Sequence, residues 1–395
     1  VFLKWGRKMG ISKTYDEINH RIAKGEAVVV TAEEIVPMVE EQGVKEVAKR
    51  VDVVTTGTFG AMCSSGAFLN FGHGDPPIKM SKIWLNDVPA YGGIAAVDAY
   101  LGATEGSERN GAMYGGAHVI EDLVGGKKVH LRAYGKTTDC YPNKGVDGYI
   151  DLESINEAIL FNPRNVYQNY TAATNSSGKT LHTYMGSLLP KFGNATYSTS
   201  GLLSPLLNDP EYRTIGIGTP IFIGGTRGYV AWYGTQHNSS ADRGENGVPM
   251  GPAGTLSLIG DLKEMNGEYL RAAVFHNYGP TIFLGVGIPI PILDEEMVKY
   301  TSVRDRDIYT SLVDFGVQRR SRPIAARVNY EELKSGEIFV DGRRIPTAPL
   351  SSFYKARQIA QELKEWIQEG SFSLNPPVER LPGDKFVNPL KLEEG

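Results

Sequence analysis

Glycine fills 46 of the 395 positions of this chain, well above the ~7% of an average protein. Without a Cβ, glycine turns the backbone sharply and lets it approach other backbone or a ligand closely. Such a chain implies many tight turns between short elements. The middle, roughly Lys127 to Tyr233, fits this best. Val129–Tyr134, Thr180–Met185, Thr214–Ile223 and Gly228–Tyr233 are short β-like runs separated by Gly, Asn and Pro.

The N-terminal third reads as α/β. Thr14-Tyr15-Asp16-Glu17 is a capping box with Ile18 and Ile22 on one helical face, and Gly25 ends that helix. Ala27–Val30 is a buried-strand run. Thr31-Ala32-Glu33-Glu34 opens a second helix stopped by Gly43, and Val44–Arg50 forms a third, leading into the strand Val51–Thr55. This is a strand–helix–strand unit with a right-handed crossover. Asp151–Ile159 is predicted helical. His237–Gly254 is polar and Gly-rich, and predicts a long mobile loop. Pro289 and Pro291 make Gly285–Leu293 an edge strand or irregular core segment. Phe353, Ala356, Ile359, Ala360, Leu363, Trp366 and Ile367 recur at helical spacing and mark an amphipathic helix closed by Gly370. The expected fold is mixed α/β: layered sheets with flanking helices, a β-rich middle and a C-terminal amphipathic helix. The expected organisation is a loose extension over 1–13, one large catalytic region over 14–370 with a candidate subdomain division near 125–150, and an extended tail over 371–395.

Apolar content of 41% and charged content of 22% suit a soluble globular chain. A net charge of −4 and a pI near 6.1 give no reason to expect nucleic acid or an anionic membrane as partner. No apolar run approaches the ~18 residues of a spanning helix. Val1–Gly10 is basic but lacks an apolar core, so it is not read as a signal peptide, and Met9 is a candidate start. Two cysteines cannot form a four-cysteine zinc site or hold an iron–sulfur cluster alone. Cysteine this sparse points to a reducing cytoplasm. The histidines show no metal spacing, the glycine-rich strings complete no dinucleotide fingerprint, and Ser176–Thr180 lacks the first glycine of a phosphate loop. No bound cofactor or metal is expected.

Both cysteines follow apolar, strand-like runs and open loops of small polar residues. Cys63 lies in Thr-Thr-Gly-Thr-Phe-Gly-Ala-Met-Cys-Ser-Ser-Gly, and Cys140 in Thr-Thr-Asp-Cys-Tyr-Pro. A thiol in an exposed loop with free amides nearby suits chemistry; one in an apolar run suits packing. Gly60, Ser64, Ser65 and Gly66 offer amides around Cys63, and a helix beginning at Ala67 would lower its pKa. Asp139 beside Cys140 disfavours a thiolate there, which suits a resolving thiol. His73, in Gly-His-Gly-Asp-Pro-Pro, and His237, in Gly-Thr-Gln-His, are candidate acid–base groups, although a loop histidine is more often structural. His118 reads as a helix cap.

Longer strings carry a resemblance. Gly25–Glu34, Val51–Gly66, Phe71–Lys79, Tyr114–Leu123, Thr138–Pro142, Phe161–Asn165, Ser204–Pro210, Gly234–His237, Gly285–Leu293 and Ser351-Ser352 are similar to those of the archaeal and anaerobic-bacterial homocysteine-biosynthesis family, the L-aspartate semialdehyde sulfurtransferases, over about residues 13 to 385. The resemblance implies that aspartate semialdehyde, sulfide and two electrons give homocysteine. It implies that both cysteines are needed, and that a ferredoxin-type iron–sulfur protein supplies the electrons. Many members carry C-terminal CBS modules, which these 395 residues do not contain. On this reading Cys63 carries sulfur as a persulfide, and Cys140 resolves the intermediate to a disulfide for the partner to reduce. Arg164, Arg227 and Arg319 are candidates for the substrate carboxylate, with Ser64 and Ser65 alongside, and His73 or His237 would protonate the departing hydroxyl. A homo-oligomer is compatible with this. Two other readings stay open: a persulfide donor serving another acceptor, as in cofactor biosynthesis, and a non-catalytic subunit of a redox complex.

Overall fold

The computed structural model describes residues 11–393. The sequence readings that fall on residues 1–10, including the start at Met9, lie outside the described residues. The capping box at Thr14 forms: its side chain accepts from the Glu17 amide, and the Glu17 carboxylate accepts from the Thr14 amide. The helix Tyr15–Ala23 buries Ile18 and Ile22 as their spacing requires. Val29–Thr31 and Val53–Thr55 pair in parallel in register, linked through the helices Ile35–Gln42 and Val44–Arg50. Pro289–Pro291 joins them as an antiparallel edge strand, a position where proline's missing N–H is tolerated. The helix Phe353–Gln368 buries Ala356, Ile359, Ala360, Leu363 and Ile367.

The largest sheet has nine strands, and its connectivity places the site. Thr58–Ala61 pairs with Gly279–Gly287. From there the antiparallel path runs through Pro220–Ile223, Thr226–Tyr233, Leu256–Asp261 and Glu157–Asn165 to Gly66–Asn70, with Asp98–Gly102 outside it. The first and last strands of that path are joined by residues 62–65 alone, so the sheet curls until its ends meet. Curling of this kind removes exposed edges. Ala67, Leu69, Ala99, Leu101, Ala158 and Leu160 fill the interior, while Phe68 stacks outside against Tyr100 and Phe161.

Two local readings are corrected. The run from Ala67 is a strand, Gly66–Asn70, and not a helix; its buried residues alternate with period two, so no helix terminus faces Cys63. Asp151–Ile159 is not a helix either. Asp151 and Ser154 cap each other in a turn, and Glu157–Asn165 becomes a strand between two neighbours. Pairing on both edges there outweighs local helix preference. The loop His237–Gly254 carries no strand, yet Arg243 ties it to the carbonyls of Pro210 and Gly247. Strands from both sides of residues 125–150 share the nine-stranded sheet.

A second, six-stranded sheet runs in the order Ile324–Asn329, Tyr309–Asp314, Ala172–Thr174, Ala195–Tyr197, Arg343–Pro349, Glu337–Val340. It has its own core, including Tyr197, Leu312, Tyr330 and Ile345. The segment after the last helix is strapped down. Phe372, Leu374 and Leu381 are buried, and Glu379–Arg380 pairs with Gly216–Ile217.

Candidate active site

Cys63 lies in the turn that closes the curled sheet. The Ser65 amide donates to the Met62 carbonyl across the turn, and Met62 donates to Ile282 on the neighbouring strand. Asn162, buried on the strand Glu157–Asn165, holds the other side. Its Nδ2 donates to Ser65 Oγ at 2.7 Å, and its Oδ1 accepts from the Arg164 amide at 2.9 Å. Ser64 Oγ donates to the Arg164 carbonyl at 2.7 Å. The two candidate serines therefore fix the turn to the strand that carries Arg164.

The Cys63 side chain is half-buried and free. Burial pushes its thiol pKa up, and the positive charge of Arg164 and the Cys63 backbone N–H oppose that rise. The expected lowering by a helix terminus gives way to a guanidinium set against desolvation. Arg164 forms no ion pair among the described residues, so its charge is available at the site. Of the three candidate arginines it alone stands beside a cysteine.

Tyrosines, which the sequence reading passed over, complete the surroundings. Tyr167 feels the charges of both Arg164 and Cys63, and burial pushes its phenol up to about 12. Tyr278, in the turn between Leu270–Phe275 and Gly279–Gly287, is also within the field of Cys63 and is raised by burial. Tyr184 packs edge-on to Tyr278 at 6.4 Å between centroids, and its hydroxyl lies 3.1 Å from that of Tyr170. Burial keeps the phenols of Tyr167, Tyr170 and Tyr278 neutral at ordinary pH. A cavity of about 40 Å³ adjoins Tyr167, lined also by Met62 and Thr199. The Thr199 hydroxyl is buried there without a partner.

Cys140 is exposed and free in the loop between Val129–Gly135 and Gly145–Ile150. Thr138 and Tyr141 exchange backbone hydrogen bonds around it, with Asp139 exposed beside it. The Tyr141 ring stacks on His73 at 6.0 Å and 17°, and Asn143 donates to the carbonyls of Pro76 and Pro77. Cys140, Asp139 and His73 are thus brought into one loop cluster. That cluster lies beyond Asn70, whereas Cys63 lies before Gly66. The strand between contributes about 13 Å at ~3.3 Å per residue. Cys63 lies in the turn before this strand, and Cys140 in a loop held against the segment that follows it.

Of the remaining candidates, His237 and Arg227 hold the C-terminal segment. His237 is buried, with Nδ1 3.0 Å from the Thr255 carbonyl and 3.1 Å from its amide and Nε2 3.2 Å from the Pro382 carbonyl; in the neutral ring that burial favours, Nε2–H donates to Pro382 and Nδ1 accepts from the Thr255 amide. Both nitrogens face backbone groups of Thr255 and Pro382, and burial lowers its pKa. Arg227 lies over the Phe372 ring at 4.9 Å and donates to the Ser373 carbonyl. Arg319 is exposed, with Nε donating to Ser321. His118 accepts from the Gly115 amide as a helix cap. Among the described residues no cluster has metal-ligand composition and no helix is long and apolar enough to cross a membrane.

The chain is 54% identical to L-aspartate semialdehyde sulfurtransferase of Methanosarcina acetivorans, covering 96% of this chain and 74% of that protein. It is 53% identical to the protein of the same name from Methanocaldococcus jannaschii, covering 96% and 75%. A protein of Methanothermobacter thermautotrophicus named only as uncharacterized is 31% identical over 84% of this chain and 74% of its own length. No solved structure matches the chain. The family model described as "Homocysteine biosynthesis enzyme, sulfur-incorporation" matches residues 27–374, a span holding both cysteines, Arg164 and the tyrosine cluster, and the chain belongs to that family.

Proposed function

We propose that this protein is an L-aspartate semialdehyde sulfurtransferase that forms L-homocysteine at Cys63. The observation that carries the reading is the charge-compensated, half-buried thiol at the closing turn of the sheet, in a chain more than half identical to enzymes of that name. The overall change takes an aldehyde, hydrogen sulfide, two electrons and two protons to a thiol and water. The electrons come from an iron–sulfur protein.

Sulfide opens a disulfide between Cys63 and Cys140, leaving a persulfide on Cys63 and a free Cys140 thiol. The terminal sulfur attacks the carbonyl carbon, and the carbonyl oxygen takes a proton from Tyr278 or Tyr167, the neutral phenols nearest Cys63. Arg164 favours the anionic sulfur before attack. Cys140 then displaces the hydroxythiol and restores the disulfide. Loss of water gives a thiocarbonyl, which the two electrons and two protons reduce. Exchange with Cys140 requires the sulfurs to meet, Cα atoms within ~7 Å; the strand Gly66–Asn70 between the segments that hold them supports a meeting between copies of the chain.

The test supplies purified protein with L-aspartate semialdehyde, sulfide and a chemical reductant, and measures homocysteine by mass spectrometry. Product from the wild type and none from Cys63→Ser is expected. Equal product from Cys63→Ser removes the reading. Sulfide-fed protein digested without reductant should show a one-sulfur mass gain on the Cys63 peptide; its absence removes the persulfide step.

A further inference from the structure

A groove of about 590 Å³ is walled by Tyr170, Tyr184 and Phe315 and carries Arg320, Arg322 and Arg327 against one lining carboxylate, Asp242. None of the three arginines forms an ion pair among the described residues. Arg322 lies 4.2 Å over the Phe315 ring, and its Nε is buried with no partner. Unpaired guanidiniums gathered on one face of a chain with net charge −4 are a local inversion of sign. The groove also borders exposed Ile324 and Phe386. Arginine and exposed apolar groups together are the composition of a protein-docking surface. The groove is far larger than a four-carbon amino acid requires.

Its inner wall is shared with the Cys63 site. Phe315 packs on Tyr184 at 5.9 Å, and Tyr184 in turn contacts Tyr278, which feels the charge of Cys63. A partner seated on the arginines rests against the tyrosines that enclose the reacting sulfur.

We infer that this groove docks the acidic face of the iron–sulfur protein that delivers the two electrons. The inference rests on the function proposed above, because that reaction consumes a reductant whose electrons go to the thiocarbonyl formed at the Cys63 site. Complementary charge speeds and orients such encounters and makes them salt-sensitive.

The experiment titrates the full chain with an acidic ferredoxin as probe, without turnover, at low and high salt. Wild type should bind, and weaken about tenfold or more as salt rises. Arg320→Glu with Arg327→Glu, both exposed, should lose about tenfold in affinity at low salt with an unchanged circular dichroism spectrum. Lys49→Glu with Arg50→Glu, on a distant helix, should bind as wild type. Unchanged affinity in the groove variant, or binding indifferent to salt, overturns the docking site. Homocysteine formation with a small chemical reductant is scored separately. Its absence from wild type with groove-dependent binding intact sinks the proposed reaction and leaves the docking surface standing.

Discussion

Ser64 Oγ donates to the carbonyl of Arg164 at 2.7 Å, which ties the residue after the candidate nucleophile to the residue that supplies its compensating charge. Asn162 reinforces the link from beneath, bonding Ser65 and the Arg164 amide. Cys63 and Arg164 lie about a hundred residues apart in sequence, and this clamp extends the pairing of Gly66–Asn70 with Glu157–Asn165 that brings their segments together. Ser64→Ala should therefore leave the fold intact and lower kcat/KM about tenfold, as small misplacements in reacting groups do. Asn162→Ala should cost about 2–3 kcal/mol of stability by leaving buried partners unsatisfied, read as a lower urea midpoint at constant slope. Wild-type kcat/KM in Ser64→Ala would show that the clamp has no part in aligning the site.

Arg164 is the group that offsets desolvation of the Cys63 thiol. Arg164→Met removes that charge while keeping bulk, so the thiolate should form at higher pH than in wild type. Iodoacetamide alkylation of Cys63, followed across pH in a Cys140→Ser background, should show its midpoint moved to the alkaline side. At pH 7.5 the rate should fall at least about threefold. Arg164→Lys should restore part of the loss, because the charge returns without the planar fork. A midpoint unmoved by Arg164→Met would mean that burial alone sets the thiol.

Cys140 is exposed whereas Cys63 is half-buried, and the segments that hold them flank Gly66–Asn70. Cys140 should be alkylated first in the native protein. If the thiols meet between copies, Cys63→Ser and Cys140→Ser, each inactive alone, should regain activity when refolded together. Up to about a quarter to a half of wild-type activity is expected from the statistics of mixed pairs. No recovery on mixing, with a disulfide found within one copy, would show instead that the loop around Cys140 crosses to Cys63 in its own chain.

The legible parts of this fold carry local signals. The capping box at Thr14 and the spacing from Phe353 to Ile367 were enough to set two helices, because cap and stripe lie within one stretch of chain. Asp151–Ile159 misleads because its Asp151 and Ser154 do cap, but cap a turn, and the following apolar run is claimed by strands ninety residues away on either side. Ala67–Asn70 misleads for the same reason. The closing of the sheet depends on pairings across more than two hundred residues, and no periodicity records it. The site was half readable. Cys63 and Arg164 stand in distinctive strings, but Tyr167, Tyr170, Tyr184 and Tyr278 come from three separate loops. The one available hint was two tyrosines three apart, Tyr167 and Tyr170, just beyond Arg164-Asn165-Val166. His237 sits in an equally distinctive string, yet its chemistry is spent on the backbone.

That use of His237 gives the protein a defined acid limb. Nε2–H holds Pro382 while Nδ1 accepts from Thr255, so the folded state needs the neutral ring, and burial depresses its pKa. In the unfolded chain the same ring takes a proton near its ordinary value of about 6.5. Between that value and the lower folded one the unfolded state binds more protons, so stability is complete above about pH 6.5 and falls as the pH drops through this window. His237→Ala should lose about 1–3 kcal/mol at pH 7.5 from the orphaned Thr255 amide and Pro382 carbonyl, and lose the part of the pH dependence that His237 supplies. Release of the strap should also expose the chain near Pro382 to protease before the rest of the fold opens. Urea titrations of both proteins from pH 5 to pH 8, with limited proteolysis alongside, read all three effects. Parallel pH profiles for wild type and variant would mean that folding leaves the proton affinity of His237 unchanged.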